Sequence, residues 1–280
     1  MTSRQHLPRI AAQFATGLFS LGFAAAVAAA PVAVATYDFD DGTLNANEGG
    51  VAALTAIDPL GANAFVSDTV FGASKTVYRF DGNSTSADNA GLELNTTGLL
   101  SGSAYSVDLV FSFDADGPSW QRILDASNRS SDNGFYVQPN DTLQIYPVGG
   151  GPNTWTFGAY HRVTLTSDAA NHVTAYLDGV FQFDLVTPVM NIATYGAANP
   201  NNLLTFFADN LVGPGQDEFV DGKVSLIRLY DFELDVDEVG EIDPNDNGGD
   251  NLGGGTDLPE PGSLALLGLG LAALSARRRR

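Results

Sequence analysis

Acidic and amide side chains occur in short clusters at residues 38–41, 114–116, 125–133 and 217–218. Calcium in proteins binds carboxylate, amide and carbonyl oxygens at about 2.3–2.6 Å, so these residue types suit a calcium ion. No loop places the Gly and Glu of an EF-hand at the required spacing. The alternative interpretation is that each cluster is a solvated turn.

Four aromatic side chains are candidates for a sugar-binding surface: Trp120, Tyr136, Tyr146 and Trp155. Such a surface combines exposed rings with a few polar hydrogen-bonding groups. Packing in the core or at its edge is the alternative for each ring. The chain has no cysteine, which excludes disulfides and thiolate chemistry. His161 and His172 have no third histidine nearby, so they do not indicate a zinc site.

The formal net charge is −20, although Arg4, Arg9 and the arginines at 277–280 lie at the two ends. The middle of the chain is therefore still more acidic. Such a surface repels phosphate backbones and anionic lipid, which excludes nucleic acid as a partner. It suits divalent cations or neutral polymers such as glycans. The alternative is that the charge only keeps the protein soluble.

The N-terminus is typical of a secretory signal. Residues 1–9 are polar and basic, and residues 10–35 are rich in Ala, Leu, Phe and Gly. Ala33-Val34-Ala35 fits a small-x-small cleavage site, which predicts a signal peptide over 1–35 with Thr36 as the first mature residue. Residues 28–30 also fit, but Pro31 follows them directly. An uncleaved membrane anchor is the alternative.

The C-terminus carries Pro259-Glu260-Pro261, a 15-residue apolar run at 262–276 and four arginines. A helix of that length spans roughly 22 Å, which is short for a bilayer core of about 30 Å. The arrangement resembles the PEP-CTERM sorting signal (259–280), and a plain tail anchor is the alternative. The resemblance implies an inner-membrane intermediate, cleavage by an exosortase, and delivery to the surface or matrix of a Gram-negative bacterium. Residues 243–258 are rich in Gly, Asn and Asp and predict a flexible linker.

Strand patterns dominate the part of the chain between these ends. Apolar and polar residues alternate at 106–113, with Val110 as an exception, and also at 161–165, 172–177 and 224–230. Asp-Gly turns separate such segments, which predicts an antiparallel sandwich. We expect Tyr37, Phe39, Phe206 and Phe207 in the core. A helical turn is predicted near 235–239, with Asp235 as its N-cap.

The order of these segments resembles the laminin-G-like, concanavalin A-like jelly-roll domains. Residues 79–82 (RFDG), 105–113, 161–180 (HRVTLTSDAANHVTAYLDGV) and 219–239 (FVDGKVSLIRLYDFELDVDEV) carry the resemblance. It implies an all-β domain over 36–242, made of two antiparallel sheets. It also implies a structural calcium ion that joins the first strand to the last, for which Asp38, Asp40 and Asp231 are the candidate ligands.

Residues 233–238 (ELDVDE) match E-x-D-x-x-E, which resembles the catalytic pattern of jelly-roll glucanases. In those enzymes the pattern lies mid-chain on a strand, whereas here it lies near the domain's end and fits a helix start. We therefore assign no catalytic residue. The sequence favours an exported, non-catalytic protein that binds an extracellular polysaccharide or another envelope component. A glycoside hydrolase acting on a β-glucan and a purely structural matrix protein are the alternatives.

Overall fold

The computed structural model describes residues 30–82, 89–114, 119–212, 218 and 220–245. The predicted signal and sorting helices, most of the predicted linker, and Asp116 and Asp217 of the acidic clusters lie outside these residues. Within the described part, no helix is long and apolar enough to cross a membrane.

The described residues form fifteen strands, a 3-10 helix and one short α-helix. In chain order the strands are β1 (Ala35–Tyr37), β2 (Thr55–Ile57), β3 (Ala64–Val70), β4 (Ala73–Phe80), β5 (Gly91–Asn95), β6 (Tyr105–Phe113), β7 (Gln121–Asp125), β8 (Gly134–Val137), β9 (Thr142–Tyr146), β10 (Gly149–Thr154), β11 (His161–Ser167), β12 (His172–Leu177), β13 (Val180–Val186), β14 (Leu203–Phe206) and β15 (Gly222–Tyr230). The 3-10 helix is Ile192–Ala198 and the α-helix, α1, is Val236–Glu241.

The strands form two antiparallel sheets. The eight-stranded sheet has the order β13-β12-β11-β6-β15-β4-β3, with β1 also paired to β15. The seven-stranded sheet has the order β10-β9-β8-β7-β14-β5-β2. The chain changes sheet eight times: on either side of β2, on either side of β5, between β6 and β7, between β10 and β11, and on either side of β14. This architecture confirms the predicted two-sheet jelly-roll sandwich.

Aromatic side chains fill the space between the sheets. Phe80 stacks on Phe207 with ring centroids 4.4 Å apart, and Phe111 contacts both Phe113 and Phe207. The side chains of Tyr37, Phe39 and Phe206 are also buried, as the alternating pattern predicts. Such rings bury a large apolar area each, so they supply much of the driving force for closing the sandwich.

The outer face of the eight-stranded sheet is also covered. Val110, the exception to the alternation in β6, lies on this face against Val70, Val77 and Leu226. Elsewhere on the same face, Tyr176 packs in a small cluster with four residues of the C-terminal segment: Tyr230, Leu234, Val239 and Ile242. A strand covered on both faces needs apolar residues on both, which explains why the alternation in β6 is incomplete.

Helix α1 begins where the sequence predicts. The Asp235 side chain accepts hydrogen bonds from the Asp237 and Glu238 amides, and Glu238 Oε2 accepts from the Asp235 amide at 2.9 Å. This reciprocal arrangement is a capping box, which satisfies amides that a helix start otherwise leaves unpaired. The prediction of a helix start at Asp235 is confirmed.

Two buried arginines hold the end of the domain on the eight-stranded sheet. Arg162 donates to the Val239 and Ile242 carbonyls at 3.0 and 3.1 Å, and Arg228 donates to the Asp243 carbonyl. Both guanidinium groups face Asp108, whose Oδ1 lies 2.7 Å from Arg162 Nε. We call Asp108, Arg162, Thr164 and Arg228 the Asp108 cluster.

Candidate functional site

The outer face of the seven-stranded sheet is polar. Arg122, Tyr136 and Gln144 are cross-strand neighbours on β7, β8 and β9. Side chains alternate along a strand, so Phe135 and Ile145 point into the core while these three point outwards. A bulge in β7 between Arg122 and Leu124 breaks the alternation and leaves Leu124 in the core.

Three of the four predicted sugar-binding aromatics lie together on this face. The ring centroid of Trp120 is 5.6 Å from that of Tyr136 and 5.3 Å from that of Tyr146, each edge to face. Tyr136 is fully buried beneath the other two, which are half-buried. The Tyr136 hydroxyl donates to the Asp132 carbonyl at 2.6 Å, which fixes the ring. We call Trp120, Tyr136 and Tyr146 the aromatic cluster.

The fourth predicted aromatic, Trp155, lies elsewhere. It is 3% exposed and belongs to the core, with its ring centroid 4.8 Å from that of Phe111. Its other neighbours are Phe113 and His161. The structure therefore uses Trp155 for packing and does not place it beside the aromatic cluster.

A buried arginine lies directly beneath the aromatic cluster. The Arg122 guanidinium carbon lies 4.7 Å from the centre of the Tyr136 ring. Its nitrogens are 2.9 Å from Asp125 Oδ2, 3.2 Å from Glu218 Oε2 and 3.5 Å from Asp209 Oδ1. We call Arg122, Asp125, Asp209 and Glu218 the Arg122 cluster. One guanidinium group thus faces three buried carboxyl groups, and Oδ1 of a fourth, the half-exposed Asp132, lies 3.9 Å from it.

Backbone amides hold two of these carboxylates in place. Asp125 Oδ1 accepts from the amides of Ser127 and Arg129 at 3.0 and 2.8 Å. Asp209 accepts from the amides of Asn210 and Glu218. Amide donors stabilise the ionised form of a carboxyl group. The third carboxyl group, on Glu218, has the least support of this kind.

Glu218 is consequently the titratable group of the cluster. Burial and the hydrogen bond with the Asp209 side chain together raise the pKa of Glu218 to about 8, although the positive charge of Arg122 opposes the rise. Glu218 therefore carries its proton at neutral pH and shares it with Asp209. This protonation balances the charge around Arg122, because a third ionised carboxylate would be costly to bury.

The three predicted calcium ligands are not gathered in one place. In the β1–β15 pair, Tyr37 is opposite Ile227 and Ala35 is opposite Leu229. The antiparallel register therefore puts Asp38 and Asp231 at opposite ends of the pair, roughly 16 Å apart at about 3.3 Å per residue. Asp40 lies 3.6 Å from Lys75 Nζ, and Asp231 accepts from the Ser101 amide at 2.5 Å. Among the described residues, no three His, Cys, Asp or Glu side chains are placed to hold a metal ion.

Two further features of the sequence have structural roles. Within the E-x-D-x-x-E pattern, Asp235 and Glu238 form the capping box of α1, so the pattern does not lie on a strand. His161 Nδ1 lies 2.7 Å from Asp178 Oδ2, beside a groove of about 440 Å³ on the other sheet. The end of α1 and Phe71 also line this groove.

Comparison with known proteins agrees with this geometry. The family described as the concanavalin A-like lectin/glucanases superfamily matches residues 84–240, which is more than half of the chain. The chain belongs to this superfamily. The PEP-CTERM protein-sorting motif matches residues 257–280, which confirms the predicted sorting signal. The motif indicates that the chain is exported by the exosortase-dependent route of Gram-negative bacteria. No curated protein sequence matches the chain.

Solved structures show the same fold at low sequence identity. Domain 4 of AbnA, an extracellular arabinanase from Geobacillus stearothermophilus solved with arabinotriose, matches with a TM-score of 0.54 at 18% identity. That match covers 75% of this chain and 98% of the AbnA domain. The binding domain of botulinum neurotoxin DC, solved with rat synaptotagmin II, matches with a TM-score of 0.50 at 12% identity. It covers 74% of this chain and 50% of the neurotoxin chain.

Sequence analysis did not identify the Arg122 cluster. Glu218 lies 96 residues from Arg122, and Asp209 comes from a third segment. The sequence contains one indication of such a cluster. Arg122 and Asp125 flank the apolar pair Ile123-Leu124 in a short strand. An arginine within a buried strand requires a carboxylate partner, but the strand order is needed to name it.

Proposed function

We propose that this exported protein is non-catalytic and binds a glycan through the aromatic cluster on the outer face of its seven-stranded sheet. The sorting signal supports an inner-membrane intermediate, exosortase cleavage near Pro259-Glu260-Pro261, and delivery to the cell surface or extracellular matrix. The superfamily contains both lectins and glucanases, so the choice between them depends on the site.

The observation that carries this proposal is the pair of half-buried rings, Trp120 and Tyr146, supported by the buried Tyr136. Rings that are already packed against one another lose little conformational freedom when a sugar stacks on them. The neighbouring side chains of Gln144 and Asp132 supply hydrogen-bonding groups for hydroxyls, as sugar sites require, and the buried Asn210 amide holds Asp132 in place. The arrangement combines apolar surface with polar groups.

Binding can be tested by titrating the purified chain with arabinotriose and with oligosaccharides of β-glucan. The chain contains only two tryptophans, and Trp155 is buried, so changes in tryptophan fluorescence on binding report mainly on Trp120. Trp120→Ala and Tyr146→Ala are each expected to weaken binding at least tenfold. Phe181→Ala, an exposed ring on the other sheet, is the matched control and is expected to bind normally. No binding to any glycan would favour a purely structural matrix protein.

A glycoside hydrolase is a second candidate, favoured by the raised pKa of Glu218, which shares a hydrogen bond with Asp209. A carboxyl group with a raised pKa beside a second carboxyl group is typical of such enzymes. Retaining enzymes, however, hold their carboxyl groups about 5–5.5 Å apart, whereas these two share a hydrogen bond. Release of reducing ends from β-glucan by the wild type, and its loss in Glu218→Gln, would establish catalysis and overturn the non-catalytic proposal.

A further inference from the structure

Every basic side chain of the domain is already engaged. Seven lysines and arginines lie between the two terminal segments, and each contacts a carboxylate or a backbone carbonyl of the protein. They are Lys75, Arg79, Arg122, Arg129, Arg162, Lys223 and Arg228. The acidic residues greatly outnumber them, so the solvent-facing charge of the domain is predominantly negative.

The same imbalance holds at the aromatic cluster. Arg122, the nearest cation, is fully buried and faces Asp125, Asp209 and Glu218. Asp132, whose carbonyl accepts from the Tyr136 hydroxyl, has a side chain that is 49% exposed. A ligand stacked on the rings therefore meets the Asp132 carboxylate. The guanidinium group, 3.9 Å from Asp132 Oδ1, is buried beneath Tyr136 and already faces three buried carboxyl groups.

We infer that the aromatic cluster selects amino-sugar and neutral glycans over polymers of uronic acids, with Asp132 as the carboxylate that receives the sugar ammonium group. This inference rests on the proposed function and names the class of ligand for the same site. Asp132 is positioned for the role, since the Asn210 amide donates to its Oδ1 at 3.1 Å and Arg122 lies 3.9 Å from the same oxygen, which leaves the other oxygen for a ligand.

The expected preference follows from Coulomb interactions at a half-exposed site. A single exposed ion pair contributes about 0.2–1 kcal/mol, which corresponds to an affinity ratio of up to about fivefold. An ammonium group near the rings also gains a cation–π attraction. A uronate meets Asp132 and the acidic surface with the same sign of charge, so it is repelled. At about 1 M salt the screening length falls to about 3 Å, and these differences should disappear.

The experiment uses matched oligosaccharides of glucosamine, N-acetylglucosamine and galacturonic acid, all of one length, titrated into the purified chain at low and high salt. At low salt we expect the free amine to bind two- to fivefold more tightly than the acetylated form, and the uronate more weakly than either. At high salt the three affinities should converge on that of the acetylated sugar.

Asp132→Asn tests the assigned residue, because asparagine keeps an oxygen for the Asn210 amide and removes only the charge. This variant should bind all three sugars with similar affinity at unchanged thermal stability. Asp184→Asn is the control, since its side chain is equally exposed, at 52%, on the opposite sheet, and it should keep the preference.

The outcomes separate this inference from the proposed function. If the uronate binds as tightly as the amine at low salt, or if Asp132→Asn keeps the full preference, the inference is wrong while glycan binding stands. If none of the three binds, and arabinotriose and β-glucan oligosaccharides also fail, both are wrong.

Discussion

Each outer face of the sandwich buries an arginine, but the two sites have opposite charge balances. In the Asp108 cluster, two guanidinium groups face one carboxylate, and their remaining donors reach carbonyls of the C-terminal segment. In the Arg122 cluster, one guanidinium group faces three carboxyl groups. The Asp108 cluster therefore has more hydrogen-bond donors than carboxylate acceptors, and the Arg122 cluster has more carboxyl groups than cations.

The difference distinguishes a cluster that anchors the C-terminal segment from a cluster that lies beneath the proposed binding surface. Surplus donors in the Asp108 cluster satisfy the end of α1, which closes that face of the eight-stranded sheet. In the Arg122 cluster, burial and the hydrogen bond with Asp209 raise the pKa of Glu218, beneath rings that are half-buried. Buried titratable groups under a partly open aromatic surface are typical of ligand sites.

The largest expected effect is that of Arg122→Met. This change leaves three carboxyl groups buried without their cation, and breaking a buried pair in this way costs about 3–5 kcal/mol. The free energy of unfolding, measured by urea denaturation at neutral pH, should fall by about that amount. The loss should be smaller below pH 5, where the carboxyl groups can be protonated. A loss that does not depend on pH would show that packing, and not charge, is the role of Arg122.

Arg162→Met should have a smaller effect. Asp108 keeps Arg228 and the Thr164 hydroxyl as partners, so no carboxylate is left alone. The variant loses hydrogen bonds from a charged donor, and we expect the free energy of unfolding to fall by about 1.5–3 kcal/mol in total. Amide hydrogen exchange should become faster in α1 and stay unchanged in β7 and β8. Equal exchange in both regions would contradict the local role of the Asp108 cluster.

The third prediction is the pH dependence of stability that Glu218 contributes. Its pKa is about 8 in the folded protein and close to about 4.3 in an unfolded chain. The folded state therefore binds more protons between these values, so stability from this group is complete below about pH 4 and is lost as pH rises through 8. The melting temperature of Glu218→Gln should fall less over this range than that of the wild type. Asp184→Asn, with an exposed carboxylate, should follow the wild type; parallel curves for all three proteins would contradict the assignment.

Local patterns predicted the sandwich well. Alternation in β6 and β12, the Asp-Gly turn between β12 and β13, and the Asp235 capping box all depend on neighbours within a few residues. The incomplete alternation at Val110 reflects a second covered face, which only the position of β6 inside the eight-stranded sheet reveals. The predicted calcium ligands are also affected by tertiary structure. The register of β1 on β15, which the sequence does not reveal, separates Asp38 from Asp231.

The sequence by itself determined the export signal, the class of fold and most of the core, since these follow from composition, periodicity and short motifs. Only the tertiary structure decided which rings meet. Trp120 and Trp155 are the same residue type, but Trp120 packs against Tyr136 on an outer face and Trp155 packs against Phe111 in the core. The raised pKa of Glu218 also follows only from the tertiary structure, because a pKa depends on burial and on charges that distant segments bring together.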